Sequence, residues 1–460
     1  MSKNKMIFWA LWAVLLMILI YWFSLLNSSS NKKKVSGPKE FNVWVVGDES
    51  AGFSDIKEWF KERFPAYANT DIKFTKFSSY EEYQENLLMV MDDDNSPDVF
   101  VVNNNWWDLL ETKIQAIPNE VIDSLDFSKR FNKAFDELIL KAKENPDDAN
   151  SIIKTYIKWI PLWYETLWVF YNWKLVRNIP LTWSELDEEI KNSEQNENYL
   201  TIALWLWEKY IFKAPDIFSM FLLQNGINTY KELKSNNALL AMKAYKSYAT
   251  DPNNDLTSFQ DEMDSLGLTT VDMFVRWKIW MIIGYPSLIK EIELAIKRTS
   301  WTVNINKKFL RSSPLPQISS DKEKNDSVNL INYNYFALSR KTKNLAMWYD
   351  FMNYLSRQEA QEKYLKAFPA YLTAVRALED QRKKENISKD YEYVTYESFM
   401  DPAVELKSFA KWLNLKFDNY FNNNFSSKKE DSTVLEKWIQ YIDCNKNHLI
   451  DWSWFEQQCN

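Results

Sequence analysis

The chain has 460 residues, of which 46% are hydrophobic and 26% charged, values that exclude a mostly disordered protein, a collagen and a multi-span membrane protein. Residues 1–40 hold six Lys and one Glu, so they carry +5 of a net charge of −7 and leave −12 on the rest. An acidic body argues against nucleic acid as a partner, and a single histidine, His448, excludes a His-based triad elsewhere and a multi-His metal site.

Met6–Leu26 is an uncharged apolar run, and at 1.5 Å per residue about 21 helical residues span about 30 Å, one bilayer core. Residues 6–26 are therefore expected to form one N-terminal transmembrane helix. An uncleaved anchor is preferred to a cleaved signal, because the apolar core is long and no small-x-small site is clear. Residues 1–28 form this anchor or signal, and the polar stretch 29–39 is its tether.

The body then alternates. Phe41–Val46 reads as a strand ending at Gly47-Asp48, and Ser54–Phe64 as a helix with Ile56, Trp59 and Phe60 on one face. Ile72–Phe77 alternates like a strand. Tyr80, Tyr83, Leu87 and Met91 follow at helical spacing, Ser96-Pro97-Asp98 makes a turn, and Val99–Val102 is a short buried strand. This order predicts βαβ units and a mainly parallel sheet, an α/β fold. Ligands of such sheets sit beyond the carboxyl ends of the strands. Those ends are Gly47-Asp48-Glu49 and Asn103-Asn104-Asn105. Carboxylates there can accept from sugar hydroxyls, and amides can both donate and accept.

Further along, several blocks fall in a familiar order. Ser96-Pro97-Asp98-Val99 is the first. Ile160-Pro161-Leu162-Trp163-Tyr164-Glu165-Thr166 is followed by Phe170-Tyr171-Asn172 and Pro180-Leu181-Thr182-Trp183-Ser184-Glu185-Leu186. Phe274 and Trp277-Lys278-Ile279-Trp280-Met281 come next, then Pro314-Leu315-Pro316, Ala337–Asn344 and Phe368-Pro369-Ala370. Over about residues 41–375 these blocks resemble the family 1 (maltose-binding-protein-like) extracellular solute-binding proteins of ABC importers. The resemblance implies a two-lobe periplasmic-binding-protein-like (type II) fold with ligand in the inter-lobe cleft and hinge closure around it. It places lobe one at 40–157 plus 298–357, lobe two at 158–297 plus 358–430, and a C-terminal tail at 431–460. It implies a small-molecule ligand, an ABC permease as partner and a body on the extracytoplasmic side of the cell membrane, and it calls for no cofactor, no catalytic residue and no metal.

The candidate ligand-binding residues are Asp48, Glu49, Asn104, Asn105, Tyr164, Glu165, Tyr285 and Tyr335. Tyr164 and Glu165 begin lobe two beside the hinge, Tyr285 follows the strand Ile279–Ile283, and Tyr335 precedes a strand. Aromatic faces stack on sugar CH surfaces while amides fix hydroxyls, which favours a carbohydrate. A surface glycosidase and a two-lobe sensor or adhesion module stay open as alternatives.

Three features stand apart. Asp443–Asp451 spaces oxygen side chains like a calcium loop, but His448 stands where glycine belongs and Trp454 where an acid belongs, so no metal is assigned. Cys444 and Cys459 are the two cysteines, and export would let them pair. Finally, Gly numbers 6 and Trp 22, whereas ordinary usage of about 7% would give roughly 32 glycines. Some of these tryptophans read as glycine codons translated as Trp, and the alternative is a true Trp-rich, carbohydrate-binding surface. By the resemblance, Trp163, Trp277, Trp106 and Trp107 fall at glycine positions, Trp280 at a small residue, and Trp183 at a true Trp.

Overall fold

The computed structural model describes residues 38–46, 53–78, 80–104, 110–144, 148, 150–193, 199–204, 214–250, 259–299, 305, 307–318, 327–366, 371–386, 394, 405–407 and 431–440. Residues 6–26, Cys444, His448 and Cys459 lie outside this set. Among the described residues no helix is long and apolar enough to cross a membrane.

The first sheet begins as the alternation predicted. In β1 (Glu40–Val46), Phe41, Val43 and Val45 are buried while Asn42 and Trp44 between them are partly exposed. The helix Phe53–Arg63 carries the chain to β2 (Asp71–Phe77), which pairs with β1 in parallel, Phe41 opposite Ile72. The helix Tyr80–Val90 then leads to β3 (Val99–Asn103), buried throughout and parallel to β1 on its other side. These are the expected βαβ units.

Short strands follow: β4 (Ile114–Gln115), β5 (Ile117–Pro118), β6 (Ile139–Lys143) and β7 (Ile153–Ile157). The last three make a small sheet in the order β5-β7-β6. Next come β8 (Ile160–Thr166), β9 (Trp168–Asn172), β10 (Leu200–Ala203), β11 (Ile279–Gly284) and β12 (Leu310–Ser313). β13 (Val328–Ser339), β14 (Leu372–Thr373) and β15 (Glu405–Lys407) complete the set. The large sheet runs β14-β8-β13-β3-β1-β2, with β4 and β15 on β13, and a second sheet runs β10-β11-β9-β12. Each sheet is the centre of one lobe.

Strand pairing moves the expected lobe limits. Residues 160–166, expected in lobe two, pair with β13 in the first sheet, Tyr164 opposite Tyr333. Residues 310–313, expected in lobe one, pair with β9 in the second, Ser312 opposite Phe170. β14 pairs with β8, and the helix Gln358–Lys366 packs on Phe53–Arg63 through Tyr364 and Phe53, ring centroids 5.2 Å apart. Both therefore belong to lobe one. A strand joins the sheet that satisfies its backbone groups, and that pairing is invisible in a single strand's pattern. The chain thus crosses between lobes at 166–168 and again between β12 and β13.

Part of the expected polar tail is a docked helix. Residues 431–440 are helical and bury Val434, Leu435, Trp438 and Ile439. Trp438 meets Phe218 edge-on at 5.6 Å, and Asp431 pairs with Lys246 at 2.6 Å. Both partners sit on lobe-two helices, Ala214–Gln224 and Asn236–Thr250.

In lobe one, Phe336 on β13 is fully buried and meets Phe53 at 5.1 Å. Phe336→Ala is expected to lower stability by about 3–5 kcal/mol, read from urea unfolding midpoints.

Candidate functional site

The carboxyl ends of β3 and β8 and the amino-terminal part of β13 meet where the chain crosses between lobes. Every β13 residue is buried except Asn332, which is half-buried. Asn103 Nδ2 donates to Asn332 Oδ1 at 2.9 Å and to Asn334 Oδ1 at 2.8 Å. Asn104 Nδ2 donates to the Ile331 carbonyl at 3.1 Å, and the Tyr333 N–H donates to Asn104 Oδ1 at 3.1 Å. Nearby, Asn329 Nδ2 donates to the Leu167 carbonyl at 2.7 Å, joining the two crossing segments. Amides suit this place because each supplies a donor and an acceptor without a net charge to desolvate.

Glu165 lies opposite Asn332 in the β8–β13 register. It is 5% exposed, and its Oε1 accepts the Ser287 N–H at 3.1 Å. Ser287 is the N-cap of the lobe-two helix Leu288–Arg298. A lobe-one carboxylate therefore faces the positive end of a lobe-two helix. Two residues back, the Tyr285 hydroxyl donates to Asp216 Oδ2 at 2.5 Å. Burial first, then the Asp216 charge and hydrogen bond and the Glu165 charge, hold the Tyr285 phenol well above its ordinary pKa. Tyr285 thus stays a neutral donor. Glu165, Tyr285, Ser287 and Asp216 form one polar group spanning both lobes.

The geometry is that of two α/β lobes meeting at a polar crossing, and the family model for bacterial extracellular solute-binding proteins matches residues 47–362. The chain belongs to this family. It is a bacterial extracellular solute-binding protein. Solved structures share the fold, and three illustrate the likeness. A cyclo/maltodextrin-binding protein complexed with maltotetraose matches with a TM-score of 0.63 and 16% identity over 92% of this chain and 99% of that one. The sugar-binding protein MalE from Xanthomonas citri matches at 0.62 and 14% over 91% and 99%. The GacH receptor of Streptomyces glaucescens, solved unliganded and with acarbose, matches at 0.60 and 16% over 90% and 98%. No curated protein matches the chain.

Within this solute-binding protein, the eight candidate residues separate into groups. Glu165 and Tyr285 come together at the crossing. Asn104 sits there too, with both ends of its amide on the β13 backbone. Asp48, Glu49 and Asn105 lie outside the described residues. Tyr164 and Tyr335 are in the lobe-one core. Tyr164 is on the opposite face of β8 from Glu165 and donates to Glu379 Oε1 at 3.3 Å. Tyr335 is fully buried and stacks on Trp159 at 4.0 Å. The alternation of a strand decides this: neighbours on β8 point to opposite faces, so Tyr164 and Glu165 cannot share one surface. Asp216, Ser287, Asn103 and Asn332 were not among the eight. Asp216 had a signal, being the one charged residue in the otherwise uncharged buried run Ala214–Leu223.

The Glu379 carboxyl, half-buried against Tyr164 and Asn132, is raised above its ordinary pKa, chiefly by desolvation. A carboxyl raised on folding binds more protons in the native state. Its contribution to stability is therefore present in acid and is lost as pH rises through the folded value. Glu379→Gln is expected to shrink this loss, so the variant gains stability relative to the parent at pH 7 compared with pH 4, read from urea midpoints at both.

Proposed function

We propose that the solute is a sugar or oligosaccharide, held between the lobes and passed to the permease after hinge closure. The observation that carries this reading is the Glu165–Ser287 contact, a carboxylate of one lobe on the helix start of the other, set among amides. Such a junction offers hydroxyl-rich ligands charged acceptors and neutral amide donors and acceptors. The maltotetraose and acarbose complexes of similarly folded proteins support a carbohydrate over other solutes. Glu165 and Tyr285 act as ligand contacts at the crossing, with Asp48, Glu49 and Asn105 as further candidate contacts.

Closure follows from differential affinity. A ligand touching both lobes stabilises the closed state by the contacts it makes only there. The permease reads that state. Residues 6–26 anchor the protein in the cell membrane, with residues 29–39 as tether, and keep the body on the extracytoplasmic side. The protein binds and does not turn its ligand over.

Thermal unfolding of the full chain in detergent, with maltose, maltotetraose, amino acids and polyamines, tests the reading. A sugar at about 100 times its dissociation constant is expected to add about 2.7 kcal/mol, while the other classes give no shift. Glu165→Ala is expected to weaken sugar binding by about 10- to 100-fold, the worth of a charged hydrogen bond. A shift with amino acids or polyamines alone would sink the carbohydrate assignment, and labelled oligosaccharide hydrolysis would overturn the binding role.

A further inference from the structure

Three lobe-two helices end on a residue with positive φ. After Ala214–Gln224 it is Gly226, φ 79°, whose N–H reaches the Leu223 carbonyl at 3.0 Å while Ile227 N–H reaches Leu222 O at 3.0 Å. After Gln260–Leu266 it is Gly267, φ 62°, with Leu268 N–H on Met263 O at 2.8 Å. After Thr270–Val275 it is Trp277, φ 70°, with its N–H on Phe274 O at 3.1 Å and Lys278 N–H on Met273 O at 3.0 Å. The first and third share one Schellman ending, in which the left-handed residue is usually glycine. Among the described residues Trp277 alone adopts positive φ without being glycine. A bulky side chain there crowds its own backbone.

The indole N–H groups sort in the same direction. Trp183 Nε1 donates to Gln224 Oε1 at 2.7 Å, and Trp168 Nε1 donates to Thr166 Oγ1 at 2.6 Å. The buried indole N–H groups of Trp163, Trp277, Trp280 and Trp348 have no partner among the described residues. A buried tryptophan ordinarily finds one. With 6 glycines and 22 tryptophans in the chain, a glycine written as tryptophan accounts for all three observations.

We propose that Trp277 is glycine in the protein its host makes, encoded by a UGA codon, and that the same reassignment at Trp163 opens a slot for one sugar ring. The slot rests on the carbohydrate reading above; the codon assignment does not. Trp163 is on the same face of β8 as Glu165 and is 4% exposed. Its ring lies on Tyr371, centroids 4.0 Å apart and planes 10° apart. The indole therefore occupies the position a stacked pyranose would take on Tyr371. Glycine at 163 bares that tyrosine face beside the Glu165 carboxylate and the Asn103–Asn332–Asn334 amides. The ligand class is a neutral sugar, stacked on Tyr371 with hydroxyls toward Glu165.

The codons of the gene and tandem mass spectrometry of peptides from the host's own protein test the assignment. UGA with a glycine mass at 277 and 163, and UGG with a tryptophan mass at 183, are expected; UGG or an indole mass at 277 or 163 overturns it there. Unfolding of the full chain in detergent gives a second arm. Trp277→Gly is expected to raise the folding equilibrium constant about tenfold, about 1.4 kcal/mol, and Trp183→Gly to lower it; a loss at Trp277→Gly counts against glycine. Calorimetric titration with maltotetraose tests the slot. Trp163→Gly is expected to bind at least about tenfold tighter than the chain with Trp163, a 1.4 kcal/mol gain, and Tyr371→Ala to abolish that gain. UGA at 163 with no gain overturns the slot alone. Absence of sugar binding by every form overturns the slot together with the carbohydrate reading, whatever the codons say.

Discussion

Both lobes depend on how β13 is satisfied. It is a twelve-residue strand, and nearly all of its backbone is out of reach of water. Every N–H and C=O along it must therefore find a partner in protein, since an unpaired buried group costs about as much as a lost hydrogen bond. β8 and β3 supply those partners on its two sides, and β4 and β15 extend the pairing at its ends. The start of β13 also packs against the lobe-two helix Ala214–Gln224, where Gln224 Nε2 reaches the Val328 carbonyl at 3.4 Å and the Pro316 carbonyl at 3.0 Å. One strand thus ends one lobe's crossing and forms the middle of the other lobe's sheet.

The polar group at the crossing follows from that arrangement. β3 stops where β13 emerges, so the amides of Asn103 and Asn104 have β13 within reach and are held on it. β8 leaves the sheet two residues after Glu165, so that carboxylate faces the first helix turn of the second lobe. Burying a carboxylate is costly unless it is hydrogen-bonded, and the Ser287 N–H and the helix end offset that cost.

How much of this could be read in advance varies with the distance between the residues concerned. The first βαβα unit was legible because each strand and helix carries its own period: Phe41, Val43 and Val45 alternate, while Tyr83, Leu87 and Met91 recur at helical spacing. The lobe limits were not, because membership of 160–166 and 310–313 is decided by strands far away in the chain. Glu165 was read as a residue beside the expected hinge and Tyr285 as one following a strand, and the structure puts both at the crossing. Tyr164 and Tyr335 were misleading, since an aromatic beside a polar residue on a strand points to the other face. The helix at 431–440 was hidden because its apolar stripe is short and acquires meaning only against Phe218.

By itself the amino-acid sequence determined the α/β class, the family blocks, the acidic body, the apolar run at 6–26 and the abnormal ratio of tryptophan to glycine. These depend on composition and on periods of two to four residues, which the chain carries locally. Tertiary structure alone decided which strands share a sheet, that Asp216 meets Tyr285, that Glu165 meets Ser287, and that position 277 takes a left-handed backbone. Each of those is a pairing or a bend imposed by packing between distant segments, and no local period encodes it.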